Sequence, residues 1–349
     1  MENFWRGSLV KKKRFEDWLK EIADRRTKLA PDARRMQFNS FEACLTHSRD
    51  RKTLEKNYGQ ALEAVYKRVK KRVGKDKSFD LWLKKVEETR GSNKKKAIAW
   101  HALEILIERK YQRKLFGDPI PDEEMNIDSI TSIAEFLLSQ EFDIPYYYGF
   151  PRLVQTSSFN VEQFIHLAGD LFEEAISSTW LNNRYTLLAK RQEEILKTAA
   201  KRLWMSIPNN ASNSSEVMLL IKHIKDICKE QTFRKKSPYG GVTGIGIRET
   251  EIRRLLNIAR EAPKTSYAHL EQVLKTCISQ NLLEERTDYG QGKKGQKWTI
   301  LYLNRILCVN FGLPLNYGGW RPMRTSALLS VLRNQSIKEQ SFFKGKVND

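Results

Sequence analysis

The chain has 349 residues, room for two or three domains, and carries 62 Lys and Arg against 42 Asp and Glu, a net charge of +20. Hydrophobic residues make up 40% of it, which excludes a disordered tail. The excess of positive charge favours a polyanionic partner, nucleic acid or an anionic surface.

That charge is unevenly spread. Residues 1–116 hold 32 basic and 16 acidic side chains, residues 117–232 hold 10 and 17, and residues 233–349 hold 20 and 9. Two basic lobes flank a mildly acidic centre, a sign of separate functional surfaces. The N-terminal "MENFWRGSLVKKKRF" has no apolar signal-peptide region. No run approaches the ~18 apolar residues of a membrane span, and the longest, "AIAWHALEILI", is broken by His101 and Glu104. A membrane partner is therefore not expected, and a cytoplasmic location is. Cys44, Cys228, Cys277 and Cys308 stand far apart without a CxxC pair, so they read as reduced core thiols rather than zinc ligands.

The first 230 residues read as almost wholly helical. "KKKRFEDWLKEIAD" puts Phe15, Trp18, Leu19 and Ile22 on one helix face. Residues 52–73 do the same with Leu54, Tyr58, Leu62, Val65, Val69 and Val73. "SFDLWLKKVEETR" makes a third helix with Ser78 as N-cap, and "NKKKAIAWHALEILIERKYQRKLF" a fourth with Asn93 as cap, stopped by Gly117, Pro119 and Pro121. The acidic "GDPIPDEEMNID" marks a domain boundary. Helices follow at about 128–141, 160–180 and 185–206 by the same periodicity. "PNNASNSS" reads as a loop, residues 216–233 as another helix, and "RKKSPYGG" as the next break.

After Gly246 the pattern changes. "RETEIRRLLNIAREA" is a helix with Ile252, Leu255, Leu256 and Ala259 inward. "SYAHLEQVLKTCISQNLL" is a second, with Leu270, Val273, Leu274, Cys277 and Ile278 as its stripe. "EERTDYGQGKKGQKWTILYLN" reads as strand, glycine-rich turn and strand. Two helices and a β-hairpin with a basic tip is the order of a winged helix, whose second helix enters the major groove. The expected fold is mainly α: a basic helical region over 1–117, a helical domain over 118–236, a winged helix with a small β-hairpin wing over 237–333, and a tail over 334–349.

The stretch "YGGVTGIGIRETEIRRLL" places four glycines before a helix, as phosphate-binding loops do. It lacks the Lys-Ser/Thr pair of a P-loop, and what precedes it is a helix end and a basic loop instead of a strand. It reads as a flexible entry to the winged helix, with a short strand "GIGI". No cofactor is expected. The five histidines have no metal-ligand spacing, His101 and His166 fall in apolar helix patterns, and Glu173–Glu174 and Glu193–Glu194 read as solvated faces. No intact ATPase or nuclease motif is present.

The DNA-binding candidates are basic and local. On the second winged helix, His269, Gln272, Lys275, Thr276 and Ser279 lie off the apolar stripe. Lys293, Lys294 and Lys297 crowd the wing. In the N-terminal lobe, Lys67, Arg68, Lys70, Lys71 and Arg72 crowd one helix end, and Lys94, Lys95 and Lys96 the start of another. Cations at a helix start oppose its macrodipole and gain a reason if they meet an anion.

Three stretches carry a resemblance. "YYYGFPRLVQTSSFNVEQFIHLAGDLFEEAISS" resembles the helical lid of origin-recognition-type AAA+ ATPases, in particular a bacterial branch met in defence and mobile-element settings. "KKKAIAWHALEILIERKYQRKLF" is similar to the helix leading into that lid, and "GQKWTILYLNRILCVNFGLPLNYGGWR" to the end of the same group's C-terminal winged helix. The resemblance covers about residues 93–330. Such ATPases carry Walker A and B motifs before the lid, and this chain has neither. Their lid helix offers an arginine toward the γ-phosphate, and none lies between Ser158 and Glu174. The resemblance thus implies the DNA-handling half of such a machine without its engine: a double-stranded DNA ligand, and possible ATPase or other protein subunits as partners. Two other readings stay open, a protein–protein adaptor using Trp180 and Trp204, and a nuclease with scattered acidic ligands.

Overall fold

The computed structural model describes residues 9–30, 40–45, 48–116, 130–158, 160–182, 186–234, 240–290, 296–317 and 319–333. It divides into two compact units, Met1–Ala200 and Lys201–Asp349. The chain is mainly helical, with one small mixed sheet near its C-terminal end. No described helix is long and apolar enough to cross a membrane.

In the first unit, α1 (Leu9–Leu29) packs on the short α2 (Phe41–Cys44) and on α7 (Phe150–Thr156) and α8 (Val161–Asn182). The long α3 (Ser48–Val73) lies along α5 (Asn93–Phe116), which also holds α4 (Asp80–Glu87) and α6 (Thr131–Glu141). Tyr58, Ala61, Val65, Val69 and Val73 form the buried stripe of α3, at the expected three- and four-residue steps. On α1 the buried stripe is Leu19, Ala23 and Thr27, so Trp18 sits at its edge and stays 47% exposed against Phe15. α5 and α6 pack together on either side of residues 117–129, which take in the expected linker "GDPIPDEEMNID" and lie outside the described residues.

Several local expectations need correction. The Ser78 backbone is already inside a 3-10 turn whose cap is Asp76, and α4 begins two residues later. Ser92 caps α5 instead of Asn93: its Oγ accepts from Lys95 N and its carbonyl from Lys96 N. Asn93 is occupied in holding α3, donating through N and Nδ2 to Glu55. Pro208 falls inside α9 (Ala189–Asn210), so only three residues separate α9 from α10 (Ser214–Thr232). Pro208 lacks the N–H that would bond the Trp204 carbonyl, so α9 bears that loss within its last turn. His101 is buried as expected, but His166 is exposed, because α8 turns Phe164, Leu167, Ala168 and Leu171 inward. Glu193 does not face solvent: its carboxylate accepts from the backbone N–H groups of Tyr146 and Tyr147 and meets Lys197 at 3.4 Å.

The second unit follows the winged-helix order. α10 leads into β1 (Val242–Arg248), then α11 (Glu249–Glu261), α12 (Ser266–Ser279), β2 (Leu283–Gly290) and β3 (Lys297–Leu303). α13 (Arg305–Phe311), β4 (Gly319–Pro322) and a helix over 325–333, α14, complete it. The strand order is β2-β3-β1-β4, antiparallel except for the parallel β1–β4 pair. Helices α10, α11 and α12 cover one sheet face, with Ile245, Ile247, Leu301 and Leu303 buried beneath them. All four cysteines are free and buried, as their apolar surroundings suggest, and burial pushes the Cys44, Cys277 and Cys308 thiols up to about 12.

The short strand expected at "GIGI" is there as part of β1, but it is buried in the sheet and is not a flexible entry. Gly244 and Gly246 lie on the sheet face opposite the helices, paired with Tyr302 and Ile300. A Cβ on Gly246 would stand 2.3 Å from the Trp320 ring, and one on Gly244 2.7 Å from the Leu301 carbonyl and 2.8 Å from the Tyr302 ring. These glycines make room for aromatic rings, which explains their spacing without a phosphate.

Candidate nucleic-acid interface

The N-cap Thr265 starts α12, its hydroxyl accepting from Ala268 N, and the stripe Leu270, Val273, Leu274 and Cys277 buries the helix. The opposite face is thereby fixed. Gln272, Lys275, Thr276 and Ser279 recur at three- and four-residue steps on it, and Gln272, Lys275 and Ser279 are exposed. The Thr276 hydroxyl donates to Gln272 O at 3.0 Å and the Ser279 hydroxyl to Thr276 O at 3.2 Å. Both keep acceptor capacity for a further partner. Lys275 pairs with Glu271 at 2.7 Å, an exposed contact that a phosphate can replace at little cost. His269 turns aside: its Nε2 is 3.4 Å from Glu216 on α10.

Lys297 is exposed at the start of β3, opposite Gly290, where the β2–β3 ladder ends. Lys293 and Lys294 lie outside the described residues. On α11, Arg254 and Arg260 are exposed and form no ion pair among the described residues, while Arg253 pairs with Glu249 at 3.3 Å. The sequence signal for them was present in "RETEIRRLLNIAREA", where all three fall off the apolar stripe.

Most cations of the basic runs in the first unit have carboxylate partners. Arg68 binds Glu141 and Glu104 together, at 2.8 and 2.9 Å to Glu104, and the Glu141 hydrogen bond above all raises its pKa. Lys67 pairs with Glu63 at 2.6 Å, Lys70 with Glu87 at 2.7 Å and Arg72 with Glu108 at 3.1 Å. Lys94 reaches Glu135 at 2.8 Å, with the rings of Tyr58 and Tyr148 each 5.7 Å away. Burial alone would pull its ammonium down, but Glu135 with Tyr148 raises it above its ordinary value. Lys71, Lys95 and Lys96 form no ion pair among the described residues.

The lid-like stretch commits its arginine in the same way. Gly149, at φ +80°, turns the chain into α7, where Arg152 binds Glu135 at 2.7 Å and Gln155 at 2.8 Å, and lies 4.2 Å from the Tyr146 ring. Trp180 is exposed near the end of α8, whereas Trp204 packs on Phe311 at 5.2 Å. No group of three or more His, Cys, Asp or Glu among the described residues is placed to hold a metal ion.

Neither curated proteins nor solved structures include a match to this chain. One family model does match, over residues 8–321, with a span that takes in the helical unit, the lid-like stretch and the winged-helix elements as far as β4. The chain belongs to the ORC-CDC6-like family.

Proposed function

We propose that this chain binds double-stranded DNA as a non-catalytic subunit, with α12 lying in the major groove and the wing on the backbone. The observation that carries the reading is the exposed polar face of α12, Gln272, Lys275, Thr276 and Ser279, set beside a hairpin in winged-helix order. The net charge of +20 supports it, since phosphate neutralisation supplies most non-specific affinity. Lys71, Lys95 and Lys96 of the first unit add to the footprint. The family supports an origin-recognition, AAA+-related setting. An ATPase partner in a defence or mobile-element assembly is the setting that the resemblance implies. A second reading, a protein adaptor, has the exposed Trp180 in its favour.

Fluorescence anisotropy of a labelled duplex of about 30 base pairs tests the first reading. Gln272→Glu/Ser279→Glu, which sets two negative charges on the α12 face, is expected to weaken binding about tenfold or more, and Lys293→Ala/Lys294→Ala to weaken it and flatten its salt dependence. Unchanged binding by both variants would remove the winged helix from the interface and leave the adaptor reading.

A further inference from the structure

The sheet face turned away from the helices carries more than glycines. Trp298, Ile300 and Tyr302 of β3 project onto it as a buried cluster, with Tyr317 and Trp320 packed against them. Gly246 is bare so that Trp320 can lie on the sheet. The two ends of this face differ. Far from the wing it is closed: the Arg286 and Arg305 guanidiniums lie 4.6 and 3.7 Å from the Tyr317 ring, and Tyr317 lies 4.9 Å from Tyr302.

Beside the wing no described residue closes the face. The β2–β3 register shifts between Arg286 and Tyr289, and the shift sets Tyr289 opposite Trp298. Tyr289 stands edge-on to Trp320 at 6.3 Å, and Trp320 is tilted against Trp298 at 4.8 Å. Tyr289 nonetheless stays 41% exposed. The Arg248 guanidinium lies 5.7 Å from the Trp298 ring, is exposed, and forms no ion pair among the described residues. An accessible ring backed by Trp320, itself packed on Trp298, with an arginine that no described carboxylate pairs at its side, matches the chemistry of a nucleotide: a base to stack and a phosphate to neutralise. Inside a duplex the bases stack on one another and show only their edges. The ring therefore fits a base where the stack ends.

We propose that the wing-side aromatic group, Tyr289 on Trp320 and Trp298 with Arg248 beside it, stacks an unpaired DNA base next to the duplex, so that the chain recognises a junction of double and single strand. The proposal rests on duplex binding by the winged helix, and the test separates the two. Anisotropy is measured for a blunt duplex of about 30 base pairs and for the same duplex with a five-nucleotide single-stranded overhang. One stacked base predicts about five- to tenfold tighter binding of the overhang substrate. Tyr289→Ala should abolish that preference while leaving blunt-duplex affinity and the circular-dichroism spectrum unchanged, and Tyr289→Phe should retain it. Equal affinity of the wild type for both DNAs, or a preference that survives in Tyr289→Ala, would overturn the proposal while duplex binding stands. Binding that needs the overhang would instead overturn the duplex reading. Loss of both at low salt would remove both.

Discussion

Gly246 shows how one absent side chain can organise a surface. Any Cβ there meets the Trp320 ring 2.3 Å away, on a strand held between β3 and β4, so the ring must lift or the strand must shift. Overpacking of this kind costs about 1–3 kcal/mol. Gly246→Ala is therefore expected to lower the unfolding free energy measured in urea by that amount and to change Trp fluorescence as Trp320 leaves its seat. A stability and spectrum like those of the wild type would contradict the assignment. The sequence exposed this position as a glycine without disclosing its reason. A GxG spacing serves a phosphate loop and a strand beneath aromatic rings alike, and the rings come from Tyr302 and Trp320, 56 and 74 residues beyond Gly246. The two expected caps, Ser78 and Asn93, were misread because their neighbours Asp76 and Ser92 take the capping role, and Asn93 is drawn off by Glu55 of α3.

Among the elements, the helices of the first unit are joined by charges as much as by apolar stripes. Glu135 of α6 is shared by Lys94 of α5 and Arg152 of α7, at 2.8 and 2.7 Å. Its side chain is only 18% exposed, so removing its charge leaves two cations facing one another with little water. Glu135→Gln should cost about 1–3 kcal/mol, the range for an uncompensated partly buried group. Denaturant unfolding monitored by circular dichroism checks it, and a loss below about 0.3 kcal/mol, as for an exposed pair, would show the triad to be incidental. The long helices were legible because their stripes repeat at 3.6 residues. Their charge runs were not, because the carboxylates that answer Arg68 come from α5 and α6, at Glu104 and Glu141. The short elements α2, α7, α13 and β4 escaped for want of a full period, and β4 pairs with a strand more than 70 residues earlier.

At the scale of the whole molecule, an ORC-CDC6-like chain has a winged-helix unit and a basic helical unit, and a sequence without a Walker motif. Its excess charge was visible from composition, as was the winged-helix order, since helix, helix and hairpin each have their own period. The central claim is that this charge and the α12 face hold duplex DNA. It is tested most directly by titrating the wild-type protein into a labelled blunt duplex of about 30 base pairs across roughly 50–300 mM salt. Four or more neutralised phosphates predict a log–log slope of about −4 or steeper. A flat dependence on salt, or no binding at the lowest concentration, would contradict the account and assign the basic surfaces to another partner.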